Sequence, residues 1–129
     1  MSLSDHPVGP VAAVSDLDRA REFYEQKLGL RPGENAPEGT ARYVCGEGSE
    51  LFVYLSPEHA GRCTATLAGW GVDDLESEVD ELISRGVTLE QYDLPGIKTN
   101  EKGISEADGG KVAFVKDPDG NTFAINEGM

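Results

Sequence analysis

The sequence predicts an α+β domain made of two similar halves, each a strand, a helix and three further strands. Three observations lead there. Val14-Ser15-Asp16-Leu17-Asp18 and Val72-Asp73-Asp74-Leu75-Glu76 repeat one pattern 58 residues apart: an apolar strand end runs into acidic or hydroxyl residues that open an amphipathic stretch. Each stretch stops at a glycine, Gly29 or Gly86. Short apolar runs separated by turn residues follow, the last two joined by Asp117-Pro118-Asp119-Gly120-Asn121. Two copies are too few for a solenoid.

In order, Pro7 to Val14 reads as the first strand. Ser15 with Asp18 makes a capping-box pattern and opens a helix from about Asp16 to Leu28. Leu17, Ala20, Phe23, Tyr24 and Leu28 share one stripe of it, so Phe23 and Tyr24 belong to the core. Arg31 to Thr40, with Pro32, Gly33, Pro37 and Gly39, is a short second strand entering a loop. Arg42 to Cys45 and Leu51 to Leu55 form a hairpin around Gly46-Glu47-Gly48, and Ser56 to Cys63 is a polar connector.

The second half begins with a strand from about Thr64 to Val72, and Asp73 with Glu76 repeats the capping box. Leu75, Val79, Leu82 and Ile83 form the apolar stripe of the second helix, and Val87 to Tyr92 is the next strand. Asp93 to Gly110 reads as a long, mobile loop, a length that is often functional. Lys111 to Lys116 and Asn121 to Asn126 close the chain as a hairpin whose turn is fixed by Pro118 and Gly120. The sheets are mostly antiparallel. One domain over residues 1–129 is expected, with module one at about 7–56 and module two at about 64–127.

Composition narrows the functions. The 24 acidic and 11 basic residues give a formal charge of -13, a field that repels nucleic acid and anionic membranes and concentrates cations. No run approaches the roughly 18 apolar residues of a membrane span. Met1 to Pro10 lacks a basic region followed by an apolar stretch, so a cytoplasmic protein is expected. Cys45 and Cys63 sit in neither a metal spacing nor a disulfide framework, and burial as small apolar residues is the expectation.

These elements in this order resemble the vicinal oxygen chelate superfamily, which includes glyoxalase I, extradiol dioxygenases, fosfomycin-modifying transferases and bleomycin-binding resistance proteins. The residues that carry the resemblance are Val14-Ser15-Asp16-Leu17, Phe23-Tyr24, Leu28-Gly29-Leu30, Val72-Asp73-Asp74-Leu75 and Asp117-Pro118-Asp119-Gly120-Asn121, and it extends from Pro7 to Asn126. It implies two βαβββ modules forming a cup-shaped mixed sheet with helices on the outer face. It also implies a homodimer. In the enzymes the cup holds a divalent metal. Its ligands are a histidine seven residues before the Asp-Leu aspartate of each half, a glutamate three residues after the hairpin asparagine, and in some members a carboxylate from the first half's last strand.

The corresponding positions here are Gly9, Leu67, Ala124 and Tyr54, or Val53 if the hairpin slips by one. Imidazole and carboxylate suit such metals, whereas Gly, Leu, Ala and Val offer no side-chain donor. No metal and no other cofactor are therefore expected. The two histidines, His6 and His59, lie off the inner face and in the connector, and are read as exposed.

Alternation along the strands then assigns the lining of the vacated cup. Gly9 and Val11 come from the first strand, Phe52 and Tyr54 from the fourth, and Leu67 and Gly69 from the fifth. Ala124 and Asn126 come from the last strand, and by resemblance Tyr43, Val112 and Phe114 join them. Val14, Leu51, Val53, Trp70, Val72, Phe123 and Ile125 are expected under the helices. The expected function is a metal-independent binder of an aromatic or amphipathic molecule, with the acidic balance favouring a cationic one. The alternative is an enzyme of the same superfamily, lyase, isomerase or dioxygenase-like, metal-free or with non-standard ligands. In the metal-free case Tyr43, Tyr54, Glu106 or Glu127 would act as acid or base.

Overall fold

Strand β1 (Val11–Val14) leads into helix α1 (Leu17–Arg21) in a computed structural model that describes residues 2–107 and 109–128. The strand is shorter than expected, because Pro7 to Pro10 lie outside the ladder. Helix capping is shifted by one residue: Asp16, not Ser15, accepts from the Arg19 N–H. Beyond Arg21 the helix widens over Glu22–Lys27, and the Leu28 N–H reaches the Phe23 carbonyl five residues back. This wider turn carries two adjacent aromatics into the interior, Phe23 and Tyr24.

The first sheet adds β2 (Arg31–Pro32), β3 (Thr40–Val44) and β4 (Glu50–Leu55) in the order β1-β4-β3-β2, with β1 parallel to β4. Module two repeats this architecture with β5 (Thr66–Gly71) and α2 (Leu75–Ser84). Its cap is Asp74, accepting from Ser77 N–H, again one residue later than Asp73. Two sheets result, the second built from β5 and three later strands.

Val87 to Tyr92 is not a ladder strand: only the Glu90 N–H bonds to the sheet, at Phe114 O, while Val87 and Leu89 are buried. The segment expected to be a mobile loop instead contains β6 (Asp93–Leu94) and β7 (Ile97–Lys98) around Pro95-Gly96, then β8 (Ser105–Ala107). β9 (Gly110–Lys116) and β10 (Thr122–Glu127) complete the sheet in the order β5-β10-β9-β8, with β5 parallel to β10. The fold is α+β and mostly antiparallel, as expected. Among the described residues no helix is long and apolar enough to cross a membrane.

Each sheet presents one face to the helices. Ala12, Val14, Leu51, Val53, Ala113, Val115, Phe123 and Ile125 occupy it and join α1 and α2 residues in one buried cluster. Trp70 and Val72 pack at its margin. Burying each valine, leucine, isoleucine or phenylalanine of this layer contributes about 1.5–3 kcal/mol. Tyr43, expected in the cup, lies in this layer: it is fully buried, its ring stacks on Tyr24 at 5.6 Å, and its hydroxyl donates to Glu25. Leu67 also departs from expectation. The ladder pairs Thr122 with Thr66 but Phe123 with Ala68, so Leu67 is the extra residue of a bulge and packs against the core.

The β9–β10 turn is the clamp between the modules. Buried Asp117 accepts from the Tyr24 hydroxyl at 2.6 Å, from the Asp119 and Asn121 N–H groups, and from the Asn121 amide. That amide also donates to Ala13 O in β1 at 2.8 Å. Asp119 accepts from both the backbone and the hydroxyl of Ser15 and pairs with Arg19. The connector lies equally close, and a side chain at Gly61 would collide with the Asp119 carbonyl.

Burial first, then the neighbouring Asp117 carboxylate, pushes the Tyr24 hydroxyl far above its ordinary range; burial and Glu25 push Tyr43 the same way. Above pH about 10 the unfolded chain therefore releases these protons while the folded chain keeps them. The sign follows: stability is full below that pH and falls as pH rises, by up to about 1.4 kcal/mol per unit for each tyrosine. Urea titrations at pH 9, 10 and 11 should show this decline, shallower in Tyr24→Phe. An equal slope in the variant would remove Tyr24 from the cause.

Candidate ligand-binding site

The faces turned away from the helices are set by the same alternation. In sheet one this face carries Val11, Ala13, Thr40, Arg42, Val44, Glu50, Phe52 and Tyr54. Val11 is 52% exposed, and Phe52 and Tyr54 are half-buried. In sheet two it carries Gly69, Gly71, Val112, Phe114, Lys116, Thr122, Ala124 and Asn126. Ala124 stands opposite both Gly69 and Phe114, and Asn126 opposite Gly71 and Val112. Gly9 is exposed before β1, close to the Glu50 carbonyl.

A cavity of about 240 Å³ opens on this side of module two. Phe114 and Tyr92 meet edge to face at 5.7 Å and form its aromatic corner. Leu94 and Ile97, from the small hairpin, overhang it. Thr64, Thr66 and Thr122 supply hydroxyls, and Lys116 is its charged lining residue. The hairpin is tied down at its base, where Thr99 exchanges hydrogen bonds with the Tyr92 backbone.

Of the residues expected to contact a ligand, only Phe114 lines this cavity. Val112, Ala124, Asn126 and Gly69 share its sheet face, whereas Gly9, Val11, Phe52 and Tyr54 belong to module one. Tyr92, Leu94 and Ile97 were missed because they fall in the segment read as strand and loop. The Pro95-Gly96 pair, a turn signal with apolar residues on both sides, could have revealed the hairpin.

A second hollow, about 170 Å³, lies on the helix side between Leu28, Leu30, Trp70, Leu82 and Ile125. Glu78 is its charged lining residue among apolar neighbours; the overhung cavity combines two aromatic rings with several convergent polar groups, the more usual make-up of a ligand site.

The donor set does not fit a metal of the family type. The four expected positions hold Gly9, Tyr54, Leu67 and Ala124. Among the described residues no group of three or more His, Cys, Asp or Glu side chains could hold a metal ion. His59 is exposed in the connector beside Ser56, and His6 is exposed near the N-terminus. The candidate acids and bases are engaged elsewhere. Glu127 accepts from the Leu75 N–H at the start of α2, Glu106 pairs with Lys111, and Tyr43 is buried against Glu25. Only Tyr54 remains on the helix-free face.

Comparison with known proteins agrees with this architecture. A family model described as Glyoxalase/Bleomycin resistance protein/Dioxygenase superfamily matches residues 5–125. A Vibrio cholerae protein described as "Probable lactoylglutathione lyase" is 32% identical over 83% of this chain and 79% of its own length. The crystal structure of a glyoxalase/bleomycin resistance protein from Catenulispora acidiphila is 27% identical, with a TM-score of 0.69 over 95% of this chain and 97% of that one. A glyoxalase family protein from Bacillus anthracis shares the fold at 20% identity, with a TM-score of 0.71 over 96% of each chain.

Proposed function

The chain belongs to the Glyoxalase/Bleomycin resistance protein/Dioxygenase superfamily, and we propose that it is a metal-independent binder of an aromatic or amphipathic small molecule. One observation carries this reading. The helix-free side holds an aromatic-cornered cavity, while the positions where the family's enzymes place metal ligands carry no imidazole or carboxylate. Flat ring faces and desolvation then supply the affinity. The volume falls just below the roughly 300–1,000 Å³ of common small-molecule sites, which favours a guest of one or two rings. We also propose a homodimer. Val11 and Val44 leave apolar surface exposed on module one's helix-free face, beside half-buried Phe52 and Tyr54, and a second copy would cover it. Light scattering that returned the mass of a single chain would oppose the dimer.

Phe114→Ala should weaken binding of 2-naphthamide by about tenfold, the scale of one lost aromatic contact, without unfolding the protein. Tyr54→Ala, on module one's face and outside the cavity, should leave it unchanged. Titration calorimetry giving unchanged affinity in Phe114→Ala would end this reading.

A second reading, an enzyme of the same superfamily, is favoured by the identity to the Vibrio cholerae relative. Elemental analysis after incubation with Ni, Mn, Zn and Fe tests its metal-dependent form, and turnover of a bound candidate tests its metal-free form. A stoichiometry staying near zero is expected. One tightly held metal per chain would make catalysis the leading reading.

A further inference from the structure

We infer that the guest of this cavity carries an anionic group, a carboxylate or similar oxyanion, set against Lys116, with its ring against Phe114 and Tyr92. The inference rests on the proposed binding role and deepens it. Its ground is where the charges are. The chain has 24 acidic side chains against 11 basic ones, yet the helix-free strand faces carry Arg31, Arg42 and Lys116 against one carboxylate, Glu50, among the described residues. Arg42 and Glu50 pair with each other at 3.7 Å. Acidic residues crowd the helices instead: Asp74, Glu76, Glu78, Asp80 and Glu81 all lie on or at the start of α2.

A cationic guest would thus meet an ammonium inside the cavity and no lining carboxylate. Overall charge therefore points the wrong way for this site, because it describes the outer surface. Lys116 does have a partner, Glu90 at 3.7 Å, but that pair is partly exposed, and water screens such a pair. The ammonium can turn to a bound anion at little cost. The three threonine hydroxyls can donate to the same oxyanion, and Leu94 and Ile97 would shield the contact from water.

Three probes of equal shape separate the possibilities: 2-naphthoate, 2-naphthamide and 2-naphthylmethylammonium, titrated calorimetrically. Wild-type protein should bind the naphthoate best and the ammonium worst. Lys116→Gln should weaken naphthoate about five- to tenfold and leave naphthamide unchanged. Lys111→Gln, on the opposite face of the same strand, should alter neither. If the ammonium binds as well as naphthoate, or Lys116→Gln does not discriminate, the anionic guest is overturned while binding of naphthamide keeps the binder reading intact. If none of the three binds, both fall.

Discussion

Asp117→Ala should lower the unfolding free energy by about 3–5 kcal/mol and move the urea midpoint down by roughly 2 M. The side chain is 5% exposed and accepts from the hydroxyl of one module and from three donors of its own turn. Its removal strands the hydroxyl of Tyr24, which is fully buried, and releases the turn that places Asn121 on Ala13. A buried donor left without a partner costs about 1–3 kcal/mol, and more than one is affected. Tyr24→Phe removes one donor and leaves the turn standing, so it should cost about half as much. A loss below about 1 kcal/mol for Asp117→Ala would mean that water satisfies these groups and the clamp contributes little.

Phe123→Ala is expected to cost a similar amount, about 3–5 kcal/mol, by a different route. The ring is fully buried, edge-on to Tyr24 at 6.0 Å and tilted against Trp70 at 5.5 Å. Truncation leaves a void that the two-module core closes only in part. Trp70 is the single tryptophan of the chain, so its emission reports the change directly. A destabilised protein with unshifted emission would show that the core had collapsed elsewhere. Since Tyr24 contacts both Asp117 and Phe123, the double variant should be non-additive by about 0.5–3 kcal/mol, read from a thermodynamic cycle.

Module one's element order and the helix-facing layer of both sheets were legible because alternation and periodicity act locally: Val14, Leu51, Val53, Phe123 and Ile125 fell where their neighbours required. The errors have physical causes too. Ser15 and Asp16 are both competent caps, but Ser15 donates its N–H and hydroxyl to the Asp119 carboxylate, leaving Asp16 to the helix. Tyr43 was placed by resemblance, whereas its own strand alternates polar Thr40 and Arg42 with buried Ala41 and Tyr43. Leu67 required a bulge, which depends on pairing with a strand more than fifty residues away. Val11, Phe52 and Tyr54 share one face of sheet one, but the cavity lies under the small hairpin of module two, which is set by contacts distant in sequence.

The clamp also has a timetable. Tyr24 and its acceptor are separated by 93 residues of chain, and a ribosome adds about 5–20 residues per second. Module one therefore spends roughly 5–20 seconds outside the ribosome without the carboxylate that completes its interior. During that interval its sheet and helix can form only a provisional, hydrated arrangement around a phenol still bonded to water. Final closure waits for the β9–β10 hairpin, so errors in its turn would surface as a nascent chain that lingers with chaperones.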